Sequence, residues 1–598
     1  MALLIEDYAL IGDCHTAALV GRHGSIDWLC LPRFDSASTF AALLGTEDNG
    51  RWLLAPRDEV LETSRHYVSD TFTLITHWRT ASGEVEVTDL MPHGDRRADV
   101  VRRVRGLSGS VVMIEDVRVR FDYSDAVPWM RQINDGDGVA LVAVAGPDAL
   151  IIRGPKHSAV GHRHVAEFEV AAGQVVDICL TWFPAHRQPP QPLDIDRRIA
   201  ETNRWWQDWA ASSRPTELYR DEVHRSLLVL RALTHEDTGG IVAAATTSLP
   251  EEFGGSRNWD YRYVWLRDAA LTLNVLIDHG FASEAGAWRN WLLRAVAGDP
   301  DDIQIMYGLS GERRLTEWQP KSLPGYNGAA PVRVGNHAFT QYQGDIFGEV
   351  MRALQSARRI GIDETEFSWP LQRALMSYVE NNWSRPDHGI WEIRGAARHF
   401  TSSKVMIWSA VDCAIHAVHE FGLDGPVERW MILRDKIRAE IEARGFNVER
   451  NSYTQCYDDS ALDASLLMLS QVGYIDAKDP RMLGTVAAIE AELLREGLVM
   501  RYRTETGVDA LPGNEHPFLA CSFWLVEQYA RSGRLADARI LMDRLVGFSN
   551  DLGLLSEQYD ISTGRQAGNT PQAFSHLALV RAADAIAEAS ALCEPSAL

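Results

Sequence analysis

The chain has 598 residues, 46% of them apolar and 24% charged, with a formal net charge of −23. That length exceeds one ordinary core, so two domains or one very large one are expected, and the composition is that of a globular protein rather than a disordered one. The acidic balance disfavours nucleic acid and anionic membrane as partners, while a neutral small molecule suits it.

The opening Met1-Ala-Leu-Leu-Ile-Glu-Asp7 carries acids where a secretion signal needs a basic start. The sequence has no uninterrupted apolar run of the length that spans a membrane. Seven cysteines are scattered with no Cys-x-x-Cys pair, which reads as reduced thiols in a cytoplasmic protein. His416 and His419 lie three apart with no carboxylate motif around them, so packing is expected there and no metal site. No cofactor is implied, and the oligomeric state is open, a homo-oligomer included.

The first third reads as strands. Ala17-Ala-Leu-Val20 and Ile26-Asp-Trp-Leu-Cys-Leu31 flank Gly21-Arg-His-Gly24 as a hairpin. Val117, Val119 and Phe121 alternate with Arg118, Arg120 and Asp122; Ala166, Phe168 and Val170 repeat the period, as does the run Val175 to Trp182. Short strands between turn residues predict an antiparallel β-sandwich over 1–190. Gln188-Pro-Pro-Gln-Pro192 breaks the pattern, and 191–216, rich in tryptophan, reads as a linker.

From there the periodicity is helical. Twelve helices are predicted near 217–234, 264–280, 282–296, 341–361, 364–383, 402–421, 424–445, 460–471, 480–496, 518–532, 534–547 and 572–589. Connections after the even-numbered ones are short, whereas those after the odd-numbered ones are long and rich in Gly, Trp, Tyr, Arg and acids. Short links make antiparallel neighbours, so all six long loops emerge at one end. Six hairpins fit an (α/α)6 barrel over 217–598; a superhelical stack is the alternative, without a fixed-period repeat to support it.

The loops carry the chemistry. The first ends Trp259-Asp-Tyr-Arg-Tyr-Val-Trp-Leu-Arg-Asp268, where Arg267 and Asp268 pair a multi-donor fork with a two-oxygen acceptor, suited to vicinal sugar hydroxyls. Tyr261, Tyr263 and Trp265 add flat faces for the C–H side of a pyranose. An ion pair at a helix N-terminus is the structural alternative. The second loop holds Pro331-Val-Arg-Val-Gly-Asn336, with Arg333. The third, Gly389-Ile-Trp-Glu-Ile-Arg-Gly395, sets Glu392 beside Trp391, where poor solvation of the charged form favours a proton donor. The fifth supplies Arg501, and the sixth, Leu554-Leu-Ser-Glu-Gln-Tyr-Asp560, supplies Glu557. Two glutamates from different loops at one barrel end, among Arg, Asp and aromatics, match the needs of glycoside hydrolysis.

These motifs resemble glycoside hydrolase family 15, the family of glucoamylases and of a prokaryotic branch of trehalases. Asp7-Tyr-Ala-Leu-Ile-Gly-Asp13 and Gly24-Ser-Ile-Asp-Trp-Leu-Cys-Leu-Pro32 resemble the amino-terminal domain of that branch, and Gln304-Ile-Met-Tyr-Gly308, His399-Phe-Thr-Ser-Ser-Lys404 and Pro571-Gln-Ala-Phe-Ser-His576 extend the likeness. The resemblance implies Glu392 as general acid, Glu557 as general base, Arg267 and Asp268 on the non-reducing glucose, and Tyr261, Trp265, Trp391 and Arg501 around it. Ser556-Glu-Gln-Tyr-Asp560 is closer to the glucoamylase form of the base loop; trehalose is the expected substrate of an inverting α-glucoside hydrolase, with malto- or isomalto-oligosaccharides as the alternative. A disaccharide phosphorylase and a non-catalytic sugar sensor are the readings from other classes; the presence of both glutamates disfavours them.

Overall fold

Alternating and helical periodicity divide the chain where they divide the sequence. The computed structural model describes residues 2–136 and 138–593. Through Pro184 the extended elements are strands, and each pairing among them is antiparallel. The first hairpin forms as expected, Ala17–Gly21 against Ser25–Cys30. The spine of the whole β domain is the 21-residue strand Ala98–Arg118. The first half of that strand pairs with Gly83–Leu90 and Val175–Pro184, the second with Arg51–Pro56 and Arg163–Ala171. It therefore belongs to two sheets, which face each other. Tyr67 of one sheet bonds both the carbonyl and the amide of Leu10 in the other, at 2.7 and 2.9 Å. Trp52 and Trp78, both at most 2% exposed, fill the space between, while Trp28 faces the barrel and donates to the carbonyl of Ala245. This is the sandwich that the period-two runs predict.

One strand ends sooner than its pattern suggests. The alternation through Phe121 predicts a strand with Arg118 and Arg120 outward, yet the strand stops at Arg118 and both arginines are buried. Arg118 pairs with Asp116 and Asp48, and Arg120 donates to the carbonyls of Val119 and His162. Local acceptors let the two charges leave water.

The expected linker is largely a helix. α1, Ile195–Ala211, is capped by Asp194, whose side chain accepts from the amide of Arg197. Its buried residues Arg198, Thr202, Trp206 and Ala210 recur every four positions. They lie on the sandwich: Thr202 accepts from the amide of His93, and Arg198 donates to its carbonyl.

The remaining helices are α2 (Arg220–Ala232), α3 (Leu266–Asp278), α4 (Ala282–Ala295), α5 (Asp345–Arg359), α6 (Ser368–Asn382), α7 (Thr401–Phe421), α8 (Val427–Arg444), α9 (Met468–Gln471), α10 (Pro480–Glu492), α11 (Leu519–Ser532), α12 (Leu535–Val546) and α13 (Ala573–Cys593). The segment predicted as one helix over 460–471 is a 3-10 turn, Ala464–Leu467, running into α9. α3, α5, α7, the α9 segment, α11 and α13 pack in sequence, and α13 returns to α3, so the inner ring closes. α4, α6, α8, α10, α12 and α2 lie outside. The residues fit these places. Most positions of α3, α7 and α11 are buried, whereas α8 buries only Trp430, Leu433, Ile437 and Ile441, a stripe of helical period.

The sandwich does more than cover the barrel. Arg262, fully buried, pairs with Asp260 and donates to the carbonyl of Ser36 and the hydroxyl of Tyr123. Asn550 donates to the carbonyls of Glu6 and Tyr8. The first and sixth barrel loops are thus each anchored to the β domain.

Candidate active site

The long loops all feed the N-terminal ends of the inner helices, and the first, third, fifth and sixth meet around one cleft. Tyr261, Trp265, Arg267, Asp268, Trp391, Glu392, Arg501 and Glu557 line it together with Ala243, Ile390, Phe518, Gln572 and Phe574. Of the site residues expected from sequence, Tyr263 and Arg333 do not line this cleft. The Arg333 guanidinium donates to the carbonyls of Ser256 and Asn258, lies 3.4 Å from Glu317 and stacks 4.4 Å over Trp259. Those contacts tie the first loop to the second, away from the cleft where the sugar contact is expected.

Glu392 is held by its backbone and by an indole. It sits at φ +59°, a left-handed conformation that side chains with a Cβ adopt at a cost. Gly389, at φ +66°, makes the turn before it; a Cβ there would stand 2.9 Å from the ring of Phe400. Gln341 donates to the carbonyls of Glu392 and Ile393, which fixes the turn from the second loop. Trp265 Nε1 donates to Glu392 Oε1 at 2.5 Å, and Arg267 Nη2 lies 3.9 Å from the same oxygen. Burial pushes the Glu392 carboxyl above its usual range, against Arg267 and the Trp265 donor.

Glu557 is deeper, 1% exposed. Its amide donates to the carbonyl of Asn569, and its own carbonyl accepts from the amide of Leu519. The loop hangs on the start of α13. The Leu555 amide donates to His576 Nε2, and Ser575 donates to the carbonyl of Ser556. Burial holds His576 neutral, its pKa lowered to about 3, so the ring nitrogen stays an acceptor. Gly568, at φ +76°, leaves the room that Glu557 occupies, since a Cβ there would lie 2.6 Å from Oε2. Tyr261 donates to Glu557 Oε1 at 2.7 Å, and Oε2 has no protein partner. Burial and the nearby Glu557 push the Tyr261 phenol well above its ordinary value, so it remains a neutral donor. Burial and the charge of Glu251 also raise the Glu557 carboxyl above the usual range; Arg501 and Tyr261 oppose them.

Arg267 and Asp268 form one unit. Arg267 Nε and Nη2 reach Asp268 Oδ2 at 3.0 and 2.8 Å, and Nη1 donates to the carbonyl of Ile390. The Phe574 ring backs the guanidinium at 5.4 Å. Trp391 is set by Asp463, which accepts its Nε1 hydrogen at 2.9 Å. Arg501 is committed to protein: Nε donates to Glu515, and Nη2 donates to Glu251 and to Glu515. Glu251 and Glu515 escape a reading of the sequence because nothing local marks them, and they meet Arg501 only in the fold. Phe574 and Gln572 fall inside the motif Pro571-Gln-Ala-Phe-Ser-His576, so they had a signal without a role.

Two carboxyls with different surroundings, a fork paired with an acceptor, and aromatic walls can protonate one atom and deprotonate another while holding a polyol. Known proteins agree with that chemistry. The model of the family "Glycosyl hydrolases family 15" matches residues 217–584, and that of "Trehalase-like, N-terminal" matches 1–181. The chain is 34% identical to the trehalase of Mycolicibacterium smegmatis over 97% of this chain and 90% of that protein. It is 34% identical to the trehalase of Mycobacterium tuberculosis, over 99% and 92%. The Thermoplasma acidophilum trehalase is 33% identical, over 96% and 98%. Among solved structures, a bacterial glucoamylase complexed with acarbose superposes with a TM-score of 0.75 at 13% identity, covering 98% of this chain and 94% of that one. That likeness shows the shared fold, sandwich and barrel together.

Proposed function

The chain belongs to glycosyl hydrolases family 15 and is a glycoside hydrolase, and we propose that it hydrolyses trehalose to two glucoses with inversion at the attacked carbon. Arg267 and Asp268 grip the hydroxyls of the glucose whose anomeric bond breaks, and Tyr261, Trp265 and Trp391 wall it. Glu392 is the general acid. Its Oε1 is taken by Trp265, so Oε2 carries the proton to the glycosidic oxygen. Glu557 is the general base. Tyr261 fixes Oε1, and the unpartnered Oε2 takes a proton from the attacking water.

The single observation that carries the mechanism is this contrast: two glutamates of one cleft, each with one oxygen held by an aromatic donor, on different loops and not bonded to each other. An attacking water needs room between the two carboxyls. An inverting pair stands roughly 6.5–9.5 Å apart, a retaining pair roughly 5–5.5 Å. Trehalose as substrate is supported by the near full-length similarity to three trehalases. The described cysteines are buried and unpaired, which supports a reducing compartment such as the cytoplasm.

The test is purified enzyme against trehalose, maltose, isomaltose and starch, with glucose as the readout, with and without phosphate. Trehalose is expected to give the highest kcat/KM and glucose alone as product. A preference for maltose or starch overturns the substrate, and glucose 1-phosphate overturns hydrolysis.

A further inference from the structure

Beneath the cleft, inside the ring of inner helices, lies a second, very small cavity. Asp345, Glu349, Ser402 and Ser465 are its polar lining. Asp345 opens α5, and Glu349 follows one turn later on the same face. They are 2% and 1% exposed, and both oxygens of Asp345 and Oε1 of Glu349 lack a hydrogen-bond partner. Two like carboxyls one turn apart in a core are costly, and the reaction as described uses neither. Ile390 lines this cavity and the catalytic cleft alike, and its carbonyl accepts from Arg267 Nη1 at 2.6 Å. Arg267 and Ile390 therefore form the partition. On the cleft side Arg267 faces Asp268 and Glu392; Asp345 and Glu349 act on it from the core side.

We propose that Asp345 is a positioning residue for catalysis: its carboxylate shares the Arg267 charge from below, so that less of that charge favours ionised Glu392 and the acid keeps its proton. The groups around the pair are few. Arg267 comes from α3, Arg352 from α5 itself, Arg581 from α13, and Asp387 from the segment entering α7, where it faces Lys404. The cavity faces of α7 and α9 present Ser402, Val405, Met406, Met468 and Leu469, none of them charged. Burial pushes Asp345 up to about 6 against Arg267, and burial with Asp345 pushes Glu349 up to about 8. Arg267 lowers Asp345 and the charge of Asp345 raises Glu349, so Asp345 gives up its proton first and the two play different parts.

This inference rests on Glu392 being the acid, and the pH profile of kcat/KM on trehalose separates the two statements. The alkaline limb reports loss of the acid's proton in the free enzyme. If Glu392→Gln leaves the limb in place, the reading of Glu392 fails, whatever Asp345 does. If the limb belongs to Glu392, Asp345→Asn releases the full Arg267 charge onto it and moves the limb down by about half to one pH unit. Asp345→Glu keeps the limb at its wild-type position, as does Glu349→Gln, which replaces the carboxyl of the pair that holds its proton longer. Asp345→Ser removes the same charge and leaves room for a water, so a poorly folding Asn variant does not stall the test. An alkaline limb unmoved in folded Asp345→Asn or Asp345→Ser, with activity lowered evenly across pH, overturns the proposal. So does an equal shift in Glu349→Gln.

Discussion

The phenol of Tyr261 donates a 2.7 Å hydrogen bond to Oε1 of Glu557, joining the first and last loops of the barrel across 296 positions of sequence. That bond leaves Oε2 as the free oxygen and favours the ionised form of the carboxyl, against burial and Glu251.

Tyr261→Phe removes the donor without removing the ring. The loss of one hydrogen bond to a buried charged group is worth about 1.5–3 kcal/mol, so kcat/KM falls roughly 10- to 150-fold. Losing a donor to the charged form raises the Glu557 carboxyl further. The acid limb of the pH profile therefore moves to higher pH; a limb that stays put separates Tyr261 from Glu557.

Glu251→Gln acts in the opposite direction. The Glu251 charge raises Glu557, so deleting it lets Glu557 ionise at lower pH and moves the acid limb down. Arg501 keeps Glu515 as its partner in that variant. An acid limb displaced upward in Glu251→Gln contradicts the assignment of the limb to Glu557.

Asp268→Ala leaves Arg267 without its nearest carboxylate and the sugar without an acceptor. At about 1–3 kcal/mol per unsatisfied group, and more for a charge, kcat/KM falls by two orders of magnitude or more. Steady-state kinetics with circular dichroism as a fold control measures it, and near wild-type values rule the sugar grip out.

Arg262→Met tests how the sandwich supports the site. Arg262 and Asp260 are both fully buried, so removing the cation strands a charge in the seam. Breaking such a pair costs about 3–5 kcal/mol, read as a lower urea midpoint. Tyr261 is the next residue in sequence, so activity falls as well. An unchanged midpoint shows the seam pair to be dispensable.

Much of this was legible in the chain because local rules govern it. Alternating long and short connections placed six loops at one end, and the closed ring of inner helices follows that order. Arg267-Asp268 and Trp391-Glu392 were visible as sequence neighbours. α1 was missed, although Arg198, Thr202 and Trp206 repeat at helical spacing, because the Pro-rich stretch before it read as the start of a linker. An arginine in a loop says nothing of which carbonyls take its donors, so the contacts of Arg333 with Ser256 and Asn258 are not legible in the sequence. Glu251, Glu515, Asp345 and Glu349 had no signature at all; their importance comes from burial beside charges brought from distant loops and helices.

The stereochemistry of the first turnovers tests Glu557 as the base most directly. Trehalose joins two glucoses through both α-anomeric carbons, so the departing sugar is α whatever the mechanism. A water activated by Glu557 inverts the other centre. Proton NMR at early time, before mutarotation mixes the anomers, is therefore expected to show α- and β-glucose in equal amounts. Glu557→Gln is expected to abolish both, since the water loses its base. α-Glucose alone at early time, or a glucosyl group trapped covalently on Glu557, would contradict the water-activating role.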